Sequence, residues 1–168
     1  MSGVSQKTAF VFAGGGSLGA VQVGTLRELM RHGLDADFVV GSSVGALNAA
    51  YFAGTPNAAG VSKLEQIWCG LRRNDVLPVT LRSLMRIISG RDHLIDPSNL
   101  RLLIQRHIPF LNLQDAAIPV HVIATNLGGV AIYLSAGPAV ERILASSAIP
   151  AAFPPVRIDD QFLIGGLP

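Results

Sequence analysis

A serine flanked by glycines, in the segment GSSVG at residues 41–45, has the residue types and spacing for nucleophilic chemistry. Gly41 and Gly45 each lie two positions from Ser43, and small neighbours allow a serine to occupy a tight, strained turn between a strand and a helix. Such a turn raises the hydroxyl above the sheet edge, and the amides that open the following helix point at any anion formed there. The spacing predicts acyl transfer with Ser43 as the nucleophile.

A second glycine-rich turn, GGGSLG, occupies residues 14–19 and follows the first apolar run. It also matches the dinucleotide-binding pattern Gly-x-Gly-x-x-Gly, but such a site needs an acidic residue at the end of the second strand, and Asp37 lies before that strand. The turn instead favours an oxyanion hole beside Ser43, where losing one donor typically raises the barrier by about 3 kcal/mol. The residues assigned to it are Gly14, Gly15, Gly16 and Ser17, with Gly19 completing the glycine motif.

Short apolar runs that alternate with helical patterns predict an α/β fold. Residues 8–13 and 38–40 are apolar almost throughout, which is typical of strands buried on both faces of a parallel sheet. A helical pattern between them predicts a right-handed βαβ unit, and a further helix is expected over about 44–52. Because both glycine turns follow successive parallel strands, they are expected to lie together and form one site.

The rest of the chain continues this pattern. Ser62 and Glu65 predict a capping box in a helix over 61–71, and Asp96 with Pro97 predicts the start of another helix. Further elements are expected at 119–124, 130–134, 138–147, 156–158 and 161–164. The pattern predicts a single three-layer α/β/α domain over residues 1–168, with a mainly parallel central sheet.

Three blocks occur in the same order in bacterial patatin-like proteins: GGGSLGA at 14–20, GSSVG at 41–45 and ASSAIPAAFPP at 145–155. The third block distinguishes the chain from general lipases, and the whole chain resembles the patatin-like phospholipases. The resemblance implies a lipid acyl hydrolase of the phospholipase A or esterase type that works through an acyl-Ser43 intermediate. It also implies a Ser–Asp dyad without a catalytic histidine, in which the aspartate takes the serine proton and then activates water.

The resemblance implies further strand and helix after residue 168, so the domain is expected to be incomplete at the C-terminus. The catalytic aspartate that the resemblance implies is not found. It is expected just before Gly165, where the chain reads FLIGGLP over 162–168, so that Ile164 replaces it or one residue is missing after Ile164. Asp159 and Asp160 have the composition of a hairpin turn. A catalytically inactive lipid- or acyl-binding module is therefore the main alternative, beside an acyltransferase and a dinucleotide-binding protein.

The amino-acid composition and net charge limit the kinds of partner that the chain can have. Hydrophobic residues make up 49% of the 168 residues and charged residues 14%, so either missing chain covers much of the surface or part of the surface meets lipid or a partner. A net charge of +2 is too small to indicate nucleic acid. The amphipathic stretch 81–95 is a candidate for peripheral membrane contact or for a lid over the acyl pocket, the alternative being an ordinary helix packed on the core.

Several signals are missing from the sequence. No secretion signal or bilayer-spanning run is visible, so a cytoplasmic or peripheral membrane location is expected. No cofactor is implied, and no metal site is predicted, because no acidic cluster suits calcium. The histidines do not cluster at any motif; they are His32, His93, His107 and His121. Trp68 is expected to belong to the core.

Overall fold

The computed structural model describes residues 6–71, 96–150 and 152–166. These residues form six strands: β1 (Ala9–Phe12), β2 (Phe38–Ser42), β3 (Val120–Asn126), β4 (Ala131–Leu134), β5 (Val156–Ile158) and β6 (Gln161–Gly165). Their α-helices are α1 (Gly19–Arg31), α2 (Val44–Gly54), α3 (Ala58–Gly70), α4 (Ser98–His107) and α5 (Ala139–Ser147). Short 3-10 turns occupy Gly16–Leu18 and Leu113–Asp115. The amphipathic stretch predicted over 81–95 lies outside the described residues.

The strands form one mixed sheet in the order β1-β2-β3-β6-β5, with β4 also paired to β3. β1, β2 and β3 run parallel, whereas β4, β5 and β6 pair antiparallel with their neighbours. The α/β class is therefore confirmed, and the parallel part of the sheet contains the two strands that precede the glycine turns.

The helices that pack on the sheet lie on one of its faces. Because the parallel strands are adjacent in chain order, right-handed crossovers place α1 and α2 on the same side. α2 contacts β1, β2 and β3, and α5 contacts β3, β5 and β6. Alternate strand residues on this face are buried against the helices, namely Phe10, Phe12, Val39, Val120, Val122 and Leu163.

The opposite face of the sheet carries exposed apolar side chains in the described part of the chain. Val11 is 73% exposed, Tyr133 72% and Phe162 51%. The prediction that β1 is buried on both faces is therefore wrong at Val11. The crossovers that join adjacent parallel strands bring their helices to the same face and leave the Val11 side chain on the other. The third layer of the predicted architecture does not lie within residues 6–71, 96–150 and 152–166.

Small side chains allow α2 to lie close to the sheet. Its alanines Ala46, Ala49, Ala50 and Ala53 are fully buried between the strands and the other helices. A helix that is apolar on nearly all sides is stable only when it is surrounded by protein. The close packing predicted from its small residues is confirmed, and it fixes the direction in which the residue before α2 points.

The start of α3 differs from the prediction. Asn57 is the capping residue, with an extended backbone and a side-chain oxygen that accepts a hydrogen bond from the Gly60 N–H at 2.9 Å. Ser62 and Glu65 lie inside the helix, so the predicted capping box is wrong. Glu65 instead pairs with Arg27 of α1 at 2.8 Å. Asparagine is as good a cap as serine, and the local pattern alone does not decide between them.

The start of α4 is displaced from the prediction by one residue. The first helical residue is Ser98, so Pro97 rather than Asp96 occupies the capping position. The Asp96 carboxylate still accepts hydrogen bonds from the Ser98 N–H at 2.9 Å and the Ser98 hydroxyl at 2.6 Å. These bonds lower the pKa of Asp96 from its ordinary value. Helix ends assigned from hydrogen bonds commonly vary by this much.

Replacing Asn57 with Ala is expected to lower the free energy of unfolding by about 1 kcal/mol, because the first turn of α3 loses its side-chain acceptor. Ser62→Ala, at an exposed position in the same helix, is the matched control and is expected to change the free energy by less than about 0.5 kcal/mol. Urea denaturation followed by circular dichroism measures both. A larger loss for Ser62→Ala than for Asn57→Ala would contradict the cap assignment.

Candidate active site

Ser43 occupies a strained turn between β2 and α2. Its backbone angles are φ 54° and ψ −124°, a conformation that non-glycine residues rarely adopt. The Ser43 carbonyl accepts a hydrogen bond from the Ala46 N–H at 2.9 Å, while its side chain makes no capping hydrogen bond. The hydroxyl is therefore not used to close the helix, and its place at a strand-to-helix elbow is the one the motif requires.

The two glycines around Ser43 allow backbone segments to approach closely. A Cβ at Gly41 would lie 2.4 Å from the Gly45 carbonyl oxygen, so the elbow itself leaves no room for a side chain. A Cβ at Gly45 would lie 2.1 Å from the carbonyl oxygen of Phe12, at the end of β1. Gly45 thus lets the first turn of α2 rest on the strand that leads into the other glycine turn.

The structure brings the 14–19 turn against Ser43. A Cβ at Gly14 would lie 3.6 Å from the Cβ of Ser43, which is ordinary van der Waals contact. Gly15 and Gly16 have φ values of 148° and 57°, which glycine adopts without strain. Gly16 and Ser17 line the same cavity as Ser43. The two turns thus form one site, while binding of an oxyanion by the loop amides stays a prediction.

Gly19 has a packing role at the start of α1. A Cβ there would lie 2.5 Å from Cζ2 of Trp68 and 2.6 Å from Cγ2 of Val44. The absence of a side chain therefore lets α1 approach both α3 and the first residue of α2.

An apolar cavity of about 610 Å³ opens beside Ser43. This volume lies within the usual range for small-molecule sites, and its predominantly apolar wall suits an acyl chain. Its apolar lining includes Val44, Leu47, Leu64, Trp68, Leu100 and Phe153. Trp68 is half-buried and packs on the core cluster of Val23, Tyr51 and Leu64, so it is both a core residue, as predicted, and part of the cavity wall.

The third sequence block places two serines of α5 beside the elbow. The Ser146 hydroxyl accepts a hydrogen bond from the Ser43 N–H at 2.8 Å and donates one to the Ile123 carbonyl of β3 at 2.5 Å. The Ser147 Oγ is buried without a hydrogen-bond partner, and Ser147 lines the cavity. Neither role was predicted; the signal that could have indicated them is the ASSAIPAAFPP block, which carries the family resemblance.

The strand expected to end in the acid, β6, runs toward the elbow. β4 pairs with β3 over residues that also pair with β2 and over residues that also pair with β6, so β2 and β6 both lie on the edge of β3 opposite β4. β6 therefore runs toward the end of β2, and a Cβ at Gly166 would lie 3.2 Å from the Ser42 Oγ. Ile164, paired with Thr125, occupies the position just before Gly165 and offers no proton acceptor.

The other acidic candidates lie elsewhere. Asp159 and Asp160 form the turn between β5 and β6, as predicted, and Asp160 pairs with Arg157 at 3.4 Å. Among the described residues no carboxylate lines the cavity that contains Ser43. The hydroxyl of Ser43 therefore has no carboxylate base in the described part of the chain.

His107 and Tyr51 are the titratable side chains of the described cavity wall. Burial, with a contribution from Arg106, lowers the pKa of His107, so its imidazole is neutral at pH 7. Burial raises the pKa of Tyr51. His107 also lines two surface clefts that do not include Ser43. His121 makes an edge-on contact with the Phe38 ring.

Metal-ligating clusters and membrane-spanning helices are both absent from residues 6–71, 96–150 and 152–166. No group of three or more His, Cys, Asp or Glu side chains in these ranges is placed to hold a metal ion. None of the helices in the same ranges is long and apolar enough to cross a bilayer.

Gly45→Ala is expected to lower the free energy of unfolding by at least about 3 kcal/mol, because its Cβ would overlap the backbone of β1, which cannot rotate away. Gly24→Ala in α1 is the matched control: no atom lies within 4 Å of its added Cβ, and a helical Ala is favoured over Gly by about 0.5–1 kcal/mol. Thermal unfolding of the two variants measures the difference. A Gly45→Ala protein as stable as the wild type would contradict the close approach.

Comparisons with known proteins bear on the whole chain. The sequence profile of the family described as Patatin-like phospholipase matches residues 10–167. A putative patatin-like phospholipase domain-containing protein of Caenorhabditis elegans, M110.7, is 28% identical over 151 residues, covering 90% of this chain and 13% of the relative. An uncharacterized NTE family protein of Mycobacterium tuberculosis is 27% identical over 175 residues, covering 96% of this chain and 43% of the relative. The chain thus spans less than half the length of either relative.

A solved structure shows the same fold. VipD from Legionella pneumophila aligns with a TM-score of 0.68 over 96% of this chain and 46% of its own, at 14% sequence identity. That identity is too low to carry more than the fold. The family profile, in contrast, covers both glycine turns, the serine block of α5 and β6. The chain belongs to the patatin-like phospholipase family.

Proposed function

We propose that this chain carries the nucleophile and the acyl pocket of a lipid acyl hydrolase that cleaves glycerolipid esters. The observation that carries the proposal is the place of Ser43. Its hydroxyl, unused by the helix, stands in a strained elbow at the wall of an apolar cavity of about 610 Å³ and against the glycine-rich turn. An acyl chain in the cavity would bring its ester carbonyl to the hydroxyl.

The reaction follows from this geometry. The Ser43 oxygen attacks the carbonyl carbon of the ester, and the carbonyl electron pair moves to its oxygen. Backbone N–H groups of the 14–17 loop and of Val44 face that charge, since the first amides of a helix have no partner within it. Collapse of the adduct releases the alcohol, which takes up the proton lost by the serine, and leaves the acyl-enzyme. Water then cleaves the acyl-enzyme and restores the hydroxyl.

Proton transfer is the step that this chain's residues do not complete. The serine proton needs a nearby base, and the family resemblance implies an aspartate just before Gly165, either at the position of Ile164 or inserted after it. Without a base, loss of most of the rate is expected, although oxyanion stabilisation and substrate binding alone retain part of it. β6 runs toward the elbow, and a Cβ at Gly166, two residues after Ile164, would lie 3.2 Å from the Ser42 Oγ.

A lipid- or acyl-binding module without turnover is the second candidate function. It rests on a specific observation, namely that no carboxylate lines the described part of the Ser43 cavity. The same apolar wall does not suit a dinucleotide, whose phosphates need polar or cationic partners. An acyltransferase would use the same serine and loop and pass the acyl group to an acceptor other than water. Peripheral membrane contact through residues 81–95 stays a prediction.

A fluorophosphonate probe tests the nucleophile directly. We expect the intact protein to gain the mass of one probe, since an elbow serine beside oxyanion donors is reactive, and Ser43→Ala to gain none. Ser42→Ala, the neighbouring serine, is the matched control and should still be labelled. A protein that binds a fluorescent fatty acid but is not labelled would favour the binding module. Absence of both labelling and binding would contradict the two proposals together.

Ile164→Asp tests the missing base. If the position is that of the family's acid, we expect hydrolysis of a short-chain nitrophenyl ester to rise by about 10²–10⁴-fold, the usual contribution of a general base. Ile164→Asn has the same size and no basicity, and should leave the rate unchanged.

A second variant, with Asp inserted between Ile164 and Gly165, tests the other alignment. Addition of Ser43→Ala to whichever variant is active should abolish the gain. If neither variant exceeds the wild-type rate while both remain folded, the assignment of the acid to this position is wrong.

A further inference from the structure

Asn48 is a buried amide in the helix that begins at the nucleophile. It lies in the second turn of α2 and is 1% exposed. Its Nδ2 donates to the Gly19 carbonyl and to the Gln22 side-chain oxygen, both at 2.9 Å, and its Oδ1 accepts from the Trp68 indole N–H at 2.9 Å. Both donors and the oxygen of the side chain are thus used. A buried amide is tolerated only when it is satisfied in this way.

The hydrogen bonds of Asn48 reach both ends of the 14–19 turn. Gly19 ends the turn, and Asn48 binds its carbonyl directly. Ala13 precedes the turn, and its carbonyl accepts a hydrogen bond of 2.6 Å from the Gln22 Nε2, whose side-chain oxygen is held by Asn48. One side chain thus fixes the entry and the exit of the loop relative to the helix that carries Ser43.

We propose that Asn48 is the positioning residue that holds the oxyanion loop against the nucleophile. The functional part rests on the proposed function, since only in an acyl-transfer site do these loop amides bind a charged oxygen. The structural part does not depend on it. Asn48 acts through the loop backbone, and the loop contains three successive glycines whose freedom must be restricted from outside if their amides are to point in fixed directions.

Different substitutions remove different hydrogen bonds of Asn48. Asp at position 48 would still accept from Trp68, but it would place carboxylate oxygens opposite the oxygens of Gly19 and Gln22 and lose both donors. Trp68→Phe keeps the shape of the cavity wall approximately and removes only the bond to Oδ1. The proposal therefore predicts a large effect on the loop for Asn48→Asp and a small one for Trp68→Phe.

Hydrogen–deuterium exchange of the folded protein measures the loop without any turnover. We expect Asn48→Asp to raise the exchange rate of peptides covering residues 13–19 by about tenfold or more, with peptides from β3 unchanged. Gln22→Leu removes the bond to Ala13 and one of the two acceptors of Asn48 but leaves the Asn48 bond to Gly19, so it should raise exchange in the same peptides by a smaller factor. Gln22→Leu also provides the test if Asn48→Asp does not fold. Thr25→Val is the control, because it removes an α1 hydrogen bond to Val21 that does not reach the loop.

Ester hydrolysis supplies the second readout. Asn48→Asp is expected to lower kcat by roughly 10–100-fold, the usual effect of a small misplacement of catalytic groups, with KM within about twofold. Unchanged loop exchange in both Asn48→Asp and Gln22→Leu would overturn the proposal, as would equal increases in the loop and in β3, which indicate general loosening. If the wild type does not hydrolyse esters, the proposed function fails, and the exchange data alone decide whether Asn48 positions the loop.

Discussion

The close contact between the first turn of α2 and the end of β1 is the constraint on which the site depends. A side-chain atom at Gly45 would lie within 2.1 Å of the Phe12 carbonyl oxygen, so the two segments meet backbone to backbone. This contact brings the residue before α2, Ser43, beside the loop that follows β1. Parallel pairing of β1 and β2 places the two turns at the same end of the sheet. Because Gly45 has no side chain, α2 can approach β1 closely enough for the two turns to touch.

Buried polar side chains then hold this contact from two directions. Ser146 links the Ser43 N–H to β3, and Asn48 links α2 to both ends of the glycine turn. The backbone strain of about 1–3 kcal/mol at a positive-φ serine persists only when its surroundings fix it, and these contacts supply that restraint. Sheet, elbow helix and loop therefore behave as one unit, and most of the site's geometry comes from groups that do not react.

Local patterns predicted the strands, the helices and the two glycine turns, because these depend on periodicity and on short-range turn chemistry. The cap of α3 was missed because Asn57 and Ser62 are locally equivalent, and packing selects between them. The roles of Ser146 and Asn48 could not be predicted, since each depends on partners from other segments of the chain. The exposure of Val11, Tyr133 and Phe162 on the second face, in the part of the chain that the structure describes, was missed because an apolar run has the same composition whether one face or both are covered.

Ile164 shows why the fold can form without the acidic residue that the proposed chemistry needs. Its backbone pairs with β3 as the register of β6 requires, and its side chain lies on the half-covered face away from α2 and α5. An aspartate or an isoleucine at this position changes few core contacts, so the elbow, the loop and the acyl cavity form with either residue. The proposed reaction, in contrast, would depend directly on the presence of a base. A family fold, even with its serine elbow formed, thus does not by itself define which reaction the chain performs.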